Sequence, residues 1–310
     1  MRICSFVPGA TEVVAALGLA DDLVGISHEC DYPTDVRHAR ILVESLVDSR
    51  HSSSARIDQE VKHLAASSGH LYRLDERAFI EANPDTLLIQ DLCHVCAVTP
   101  DQIGRAVKCL SVPPRIVKLN PTTLDAVLHD IARIGKAVEQ CDRACRLTTS
   151  LRDRLEQARA HTSSSIKPRV LCLEWLAPLY AGGHWIPEMV DMAGGIDVVG
   201  QAGQPSREIS WQEAFAAAPD IVILMPCGFG VSRTCAEVHT LLEHSTDWSR
   251  AALEWPNVFV VDATSYFSRP GPRLVDGVEL LASVFSGHID AETRSPSVRR
   301  VSWPMNSTRF

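Results

Sequence analysis

Aromatic side chains are concentrated in a few short segments of this sequence. Aromatic residues make up only 6% of the 310 residues, yet many of them follow predicted strands. Open parallel sheets bind ligands beyond the carboxyl ends of their strands, and aromatic rings bury a large area at a small entropic cost. The pattern favours a site for a broad, partly apolar ligand, with ordinary core packing as the alternative for each ring alone. The aromatic residues in these segments are Phe6, Tyr32, Trp175, Trp185, Phe229, Tyr266 and Phe267.

Sulfur and imidazole groups form a second set of residues that could do chemistry. Cys93 and Cys96 make a C-x-x-C motif, and His28 and Cys30 lie together on another predicted loop. Thiolates and imidazoles are ligands that zinc and soft metals accept, and His184 could complete such a shell. A structural zinc site usually shows a second paired motif, which this sequence lacks. Thiols that line a pocket are the favoured interpretation, with metal binding and redox chemistry of the dithiol as alternatives.

The sequence lacks the motifs of the commonest enzymes. It contains no G-x-S-x-G elbow, no G-x-x-x-x-G-K-[ST] loop, no H-E-x-x-H pair and no G-x-G-x-x-G after a strand. Thr11 and Glu12 open the first predicted helix, where a hydroxyl and a carboxylate suit the positive end of the helix dipole. Glu29 and Glu174 could act as acids or bases, but a polar pocket group is the favoured interpretation. We therefore expect a protein that binds without catalysing, with no resident metal.

A repeated pattern of elements must position these segments. Residues 74–89 and 209–224 align without a gap, and each reads as a short helix, a Pro-Asp turn and an apolar strand. Short apolar runs that alternate with helical patterns are typical of βαβ units and of parallel sheets covered on both faces. The sequence therefore predicts an α/β protein with two parallel-sheet lobes.

A helical stretch separates the two predicted lobes. Residues 122–163 contain no proline and a single glycine, Gly135, and apolar residues recur there at helical spacing. One continuous helix of about 40 residues would be roughly 60 Å long, and two helices broken near 141–145 are the alternative. We expect an N-terminal α/β lobe over 1–121, a bridging helix over 122–163, a C-terminal α/β lobe over 164–285 and a basic flexible tail over 286–310.

Composition, charge and the first residues restrict the classes of partner and the cellular location that we expect. No window reaches the roughly 18 apolar residues that a membrane span needs. The formal charge of −8 and the absence of a face-sized basic run disfavour nucleic-acid binding, so a small molecule is the expected partner. The chain begins MRICSFVP, without an apolar leader or a cleavage site, which predicts a cytoplasmic location and mostly free thiols, or a periplasmic location only if the true start lies upstream.

Several of these segments carry a family resemblance that covers residues 2 to about 285. The sequence resembles the cobalamin and iron-chelate binding proteins of ABC importers in PGATE (8–12), DYP (31–33), ANPD (82–85) and FSRPGPRL (267–274). Within the vitamin B12 branch it is most similar to proteins that carry HECDYP (28–33), C-x-V-C-A-V (93–98), GHW-x-PE (183–188) and PCGF (226–229).

The resemblance implies two α/β lobes bridged by one long helix, with a corrinoid such as cobalamin held between them. It implies an ABC transporter permease as partner, and it places Tyr32, Tyr266 and Phe267 where the family has cleft aromatics. The alternative is a cytosolic metal- or thiol-handling protein that uses Cys30, Cys93 and Cys96. The predicted ligand-binding residues are Phe6, Thr11, His28, Glu29, Tyr32, Cys93, Trp175, His184, Trp185, Phe229, Tyr266 and Phe267.

Overall fold

Two compact units make up the chain. A computed structural model describes residues 1–67, 69–90, 100–162, 166–289 and 295–303. Unit 1 comprises residues 1–154 together with the short segment 269–272, and unit 2 contains the remaining described residues. Within these ranges, no helix combines the length and the apolar character that crossing a membrane requires.

Unit 1 is built on a six-stranded sheet in the order β4-β3-β2-β1-β5-β6. All neighbouring strands are parallel except β3 and β4, which are antiparallel. Apolar side chains of the strands and of α3 and α4 form its core. The elements are β1 (Ile3–Ser5), α1 (Pro8–Ala16), β2 (Leu23–Ser27), β3 (Arg40–Ser45), α2 (Ser54–Ser67), β4 (Tyr72–Leu74), α3 (Glu76–Ala82), β5 (Thr86–Gln90), α4 (Pro100–Lys108), β6 (Arg115–Leu119), α5 (Leu124–Ala137) and α6 (Cys141–Thr162).

Unit 2 has a second mixed sheet whose centre is also parallel. Strands β7, β11 and β12 run parallel, whereas β8 and β13 pair antiparallel with β7 and β12. The predicted α/β class with two sheet-based lobes is confirmed, and the short antiparallel strands at the sheet edges are additions. The elements are β7 (Arg169–Leu176), β8 (Leu179–Ala181), α7 (Ile186–Met192), β9 (Ile196–Asp197), β10 (Arg207–Glu208), α8 (Trp211–Ala216), β11 (Ile221–Leu224), α9 (Val231–His244), α10 (Thr246–Glu254), β12 (Val258–Val261), α11 (Ala263–Tyr266), α12 (Leu274–Phe285) and β13 (Val298–Arg300).

The helical stretch 122–163 forms two helices, the second of the two alternatives. The backbone of Gln140 donates to the carbonyl of Gly135 at 2.7 Å, which closes α5, and Glu139 has a left-handed φ of 59°. Gly135 allows α6 to approach, since a Cβ there would lie 2.3 Å from the Cβ of Ala144. The longer helix, α6, has 22 residues, and the boundary between the units falls inside it, between Arg154 and Leu155.

Part of the segment 286–310, expected to be a flexible basic tail, is ordered as a strand. Residues of β13 pair with β12, and Val298 is buried. Its apolar side chain and the ladder hydrogen bonds outweigh the basic composition on which the expectation rested.

The same set of contacts recurs where each repeat turns from helix into strand. In unit 1, the Arg2 backbone N–H donates to Asp85 Oδ2 at 2.8 Å, and its Nε donates to the carbonyl of Ala82 at 2.8 Å. In unit 2, the Arg169 backbone N–H donates to Asp220 Oδ2 at 2.8 Å, and its Nη2 donates to the carbonyl of Ala217 at 2.7 Å. The arginine at the start of each first strand therefore donates to carbonyls at the end of the helix before the Pro-Asp turn. Those carbonyls have no hydrogen-bond donor within their own helix.

The repeats differ at the residue that ends the helix, and this difference gives a testable prediction. Asn83 and Ala218 occupy equivalent positions with φ of 40° and 42°, a left-handed conformation that asparagine tolerates and alanine does not. We expect Ala218→Gly to stabilise the protein by about 0.5–1 kcal/mol in urea denaturation, because relief of strain exceeds the extra unfolded-state entropy. Ala217→Gly, at a right-handed position, should instead destabilise it; equal losses in both variants would contradict the prediction.

Candidate functional site

The loops that follow the parallel strands of unit 2 meet at one edge of the sheet. The rings of Trp175 and Phe229 pack edge to face with centroids 5.5 Å apart. The Cys227 backbone N–H donates to the carbonyl of Glu174 at 3.1 Å, and the Ala263 N–H donates to that of Phe229 at 3.1 Å. The end of β7, where Glu174 and Trp175 lie, is thus joined to the segments that follow β11 and β12.

Three of the predicted ligand-binding aromatics are buried within unit 2. Phe229, Phe267 and Trp185 are only 1%, 2% and 6% exposed. Trp185 Nε1 donates to the carbonyl of Phe267 at 2.8 Å, and the guanidinium of Arg233 lies 3.4 Å from the centroid of Phe229. These rings hold the loops together in the structure, and their contact with a ligand stays a prediction. Trp175 and Tyr266 remain partly exposed at this edge.

A protonatable carboxyl, which the predicted ligand set omits, stands beside Trp175. Glu174 Oε2 accepts a hydrogen bond from Ser206 Oγ, and the backbone N–H of Gly183 also donates to this carboxyl. The pKa of Glu174 is raised to about 7, chiefly by burial and to a smaller extent by the charge of Asp197, while the two hydrogen bonds act in the opposite direction. At neutral pH the group can therefore accept from or donate to a bound molecule. Its link to Gly183 sets Trp175 next to the segment that carries His184.

His184 is half buried in the same region. Its backbone is held by neighbouring residues, since its N–H donates to the carbonyl of Gln204 at 2.6 Å and its own carbonyl accepts from the N–H of Gly203 at 2.9 Å. The imidazole lies 5.7 Å from the Trp185 ring, measured between centroids. Burial lowers the pKa of His184, which keeps the ring neutral at pH 7.

In unit 1, Thr11 and Cys30 are structural. The Thr11 hydroxyl donates to Ser5 Oγ at 2.8 Å and lies 3.0 Å from Cys30 Sγ, and both residues are buried. The Thr11 hydroxyl ties the loop after β2 to β1, and its contact with a ligand stays a prediction. Burial raises the pKa of the Cys30 thiol to about 11, so it stays protonated and is a poor metal ligand or nucleophile.

The remaining predicted residues of unit 1 are at or near its surface. His28 Nε2 lies 3.2 Å from Glu29 Oε1, and this hydrogen bond, with His28 and Arg269 charges adding to it, lowers the pKa of Glu29 despite burial. Tyr32 is 48% exposed. Phe6 is partly buried against Phe79, with ring centroids 6.1 Å apart. The side chains of Tyr32 and His28 are therefore partly accessible to solvent.

Arg269 forms a charge cluster that the sequence pattern does not predict. The arginine is 7% exposed, and its Nη1 lies 2.5 Å from Asp31 Oδ1 and 3.7 Å from Glu12 Oε1, while its Nη2 lies 3.7 Å from Glu29 Oε2. Gly9 and Gly271 pack closely beside it; a Cβ on Gly9 would lie 2.1 Å from the Pro270 carbonyl oxygen. The sequence features that could have indicated this cluster are the RPGPR segment and the acidic residues of the first loops. Their spacing along the chain does not indicate that they form ion pairs.

Metal and thiol chemistry lacks support in the described residues. Cys93 and Cys96 lie outside the part of the chain that the structure describes. In the part it covers, no group of three or more His, Cys, Asp and Glu side chains could hold a metal ion. Among the described residues, the cysteines that form no disulfide are Cys4, Cys30, Cys109, Cys141, Cys145, Cys172, Cys227 and Cys235.

Comparison with known proteins places this geometry in a family. Residues 3–247 match the family described as periplasmic binding protein. A vitamin B12-binding protein of Vibrio cholerae serotype O1 is 23% identical over 282 residues, which is 90% of this chain and 86% of that protein. The prediction of a cytoplasmic location is wrong, because the matching family is periplasmic. It rested on a missing leader, and an absence at the first residues does not determine location.

Solved structures share the fold at low sequence identity. A periplasmic heme-binding protein from Pseudomonas aeruginosa has a TM-score of 0.69 at 19% identity, over 97% of this chain and 98% of that one. A periplasmic vitamin B12-binding protein of Vibrio cholerae has a TM-score of 0.65 at 18% identity, over 92% of this chain and 96% of that one. The predicted resemblance and the fold class with a helical backbone are therefore confirmed.

Proposed function

Because this chain belongs to the periplasmic binding protein family, we propose that it binds a corrinoid of the cobalamin type and delivers it to an ABC transporter permease. The family consists of substrate-binding proteins of ABC-type importers, which are not enzymes. Cobalamin is the proposed ligand because the similar vitamin B12-binding protein aligns with nearly the whole chain.

The observation that carries the proposal is the grouping at the sheet edge of unit 2. Trp175 offers a partly exposed ring, and the adjacent Glu174 offers a carboxyl that changes protonation near pH 7. The hydrogen bond from Gly183 to Glu174 ties the segment that carries His184 to the same edge. A broad apolar face with a few polar groups at its border suits a corrin, whose ring is flat and whose periphery carries amides. Tyr266 extends this edge, and Phe6, His28, Glu29 and Tyr32 are the candidates in unit 1.

The proposal predicts that Trp175 provides a large share of the affinity. We expect the purified protein to bind cyanocobalamin in isothermal titration calorimetry, and Trp175→Ala to weaken binding by at least about tenfold, as truncation of an aromatic anchor does. Trp303→Ala is the matched control. Trp303 is also a partly exposed tryptophan of unit 2, but its Nε1 donates to the carbonyl of Trp255 at 3.3 Å, apart from the proposed site.

Heme is the alternative ligand, and the same calorimetric experiment tests it. Hemin titrated under identical conditions should bind more weakly than cyanocobalamin. Tight hemin binding with no binding of cyanocobalamin, or equal effects of Trp175→Ala and Trp303→Ala on corrinoid affinity, would overturn the assignment.

A further inference from the structure

The backbone of His184 is held in a conformation that side chains rarely adopt. Its φ is 49°, in the left-handed region where a non-glycine residue is strained. The flanking hydrogen bonds to Gln204 and Gly203 fix it there. The preceding Gly183 must be glycine, since a Cβ would lie 2.3 Å from the backbone nitrogen of Ser206. The imidazole is therefore carried on a rigid, strained support.

The ring of His184 has free coordinating capacity. Among the residues that the structure describes, neither ring nitrogen makes a hydrogen bond, although the side chain is half buried. The ring lies next to Trp185, whose own indole is fixed to the Phe267 carbonyl. Neither ring nitrogen is among the fully buried side-chain atoms that lack a partner, so both stay accessible for coordination.

The other candidate imidazole does not have this capacity. His28 Nε2 is 3.2 Å from Glu29 Oε1, and its Nδ1 is 3.1 Å from the carbonyl oxygen of Val43. Both of its nitrogens are therefore engaged. Coordination by His28 would require the loss of one of these interactions, whereas coordination by His184 requires none among the described residues.

We propose that His184 coordinates the cobalt of the bound corrinoid through an imidazole nitrogen. This inference rests on the proposed function. The step is a ligand exchange: the nitrogen lone pair forms a bond to cobalt(III), the bound water leaves with its own electron pair, and neither a proton nor an electron is transferred. The backbone strain positions the ring before the ligand arrives, which reduces the entropy lost on binding.

The proposal predicts selectivity among corrinoids. Aquocobalamin offers an exchangeable water, whereas the cyanide of cyanocobalamin resists displacement. We expect wild-type protein to bind aquocobalamin at least about tenfold more tightly than cyanocobalamin, a difference of roughly 1.4 kcal/mol. The visible absorption bands of aquocobalamin should shift on binding, and those of cyanocobalamin should not.

The test compares wild type with His184→Asn. Asparagine adopts left-handed backbone conformations readily, so the variant keeps the loop but loses the imidazole. It should bind cyanocobalamin no more than about threefold more weakly than wild type, lose the spectral shift with aquocobalamin, and lose the tenfold preference. His239→Asn, at an exposed histidine of α9, should leave all three readouts unchanged.

Each other outcome counts against the inference. Wild-type protein that binds cyanocobalamin but leaves the aquocobalamin spectrum unchanged would overturn the coordination and leave the proposed function standing. A shift that persists in His184→Asn would assign the coordination to another residue. Failure to bind any corrinoid would overturn the proposed function together with this inference.

Discussion

Arg269→Met is expected to lower the free energy of unfolding by about 3–5 kcal/mol, the loss typical of removing one partner from a buried ion pair. Arg269 is 7% exposed, and the Glu12 carboxylate beside it is 3% exposed. Methionine fills most of the volume but leaves that carboxylate without the nearby positive charge. Asp31 and Glu29 form ion pairs with the same guanidinium. Without it, their negative charges would repel the carboxylate of Glu12.

Two further variants separate charge from packing. Glu12→Gln in the Arg269→Met background should restore part of the lost stability, because it removes the charge of the most deeply buried carboxylate around Arg269. Arg77→Met is the control for losing an arginine at the surface: its pair with Glu81 is 3.0 Å long, but the arginine is 90% exposed, so the change should stay within about 1 kcal/mol.

Urea denaturation followed by circular dichroism reports the loss of secondary structure in both units together. All six tryptophans, from Trp175 onward, lie in unit 2, so tryptophan fluorescence reports that unit separately. A circular dichroism midpoint for Arg269→Met that matched the midpoint of Arg77→Met would show that the cluster contributes no more than a surface pair.

Glu174→Gln is expected to make the protein more stable than wild type at pH 8 and equally stable near pH 4.5. The pKa of Glu174 is raised from 4.5 to about 7 in the folded protein, chiefly by burial. The folded state therefore keeps a proton that the unfolded state releases between pH 4.5 and 7. Wild-type stability should fall as pH rises through this window, by up to about 3 kcal/mol at completion.

Glutamine removes this pH-dependent loss while preserving the local hydrogen bonds. Its carbonyl can accept from the Gly183 N–H, and the Ser206 hydroxyl can rotate to accept from the amide. Urea denaturation of the ligand-free protein at pH 4.5, 6 and 8 gives the profile. The Gln variant should lie above wild type only at the higher pH values.

Glu213→Gln gives the opposite sign in the same unit. The hydrogen bond from Arg207 lowers the pKa of Glu213, so its contribution is present above the unfolded-state pKa and lost as pH falls. This surface pair should make the variant slightly less stable than wild type at pH 8, by less than about 1 kcal/mol. For Glu174, parallel profiles of stability against pH for wild type and Glu174→Gln would refute the raised pKa of this carboxyl.

The repeat, the Pro-Asp turns and the parallel strands could be predicted because each is written in local sequence. Residues 74–89 and 209–224 carry the same order of helix, turn and apolar strand, and the structure forms α3–β5 and α8–β11 there. The edge strands could not be predicted in the same way. Strands β9 and β10 have two residues each, and β8 and β13 have three, which is too short for a periodic pattern to appear.

The sequence also locates the loops of the candidate site better than it predicts which side chains they expose. Trp175 lies at the end of β7 and not in the loop after it, whereas Phe229 follows β11 as expected. The Trp175 ring is partly exposed, and the Phe229 ring is buried beneath Arg233. Burial depends on neighbours that are distant along the chain. The pair of Arg269 and Asp31 joins residues 238 positions apart, and no local spacing indicates such a pair.

The return of residues 269–272 to unit 1 means that this unit is not a continuous stretch of polypeptide. A fragment that stopped at Arg154 would contain Glu12, Glu29 and Asp31 without the guanidinium that neutralises them. Neither half can therefore be excised, duplicated or exchanged by a single cut in the gene. Only a chain that supplies the RPGPR peptide from elsewhere, through insertion or a rearranged order of segments, would complete the first half.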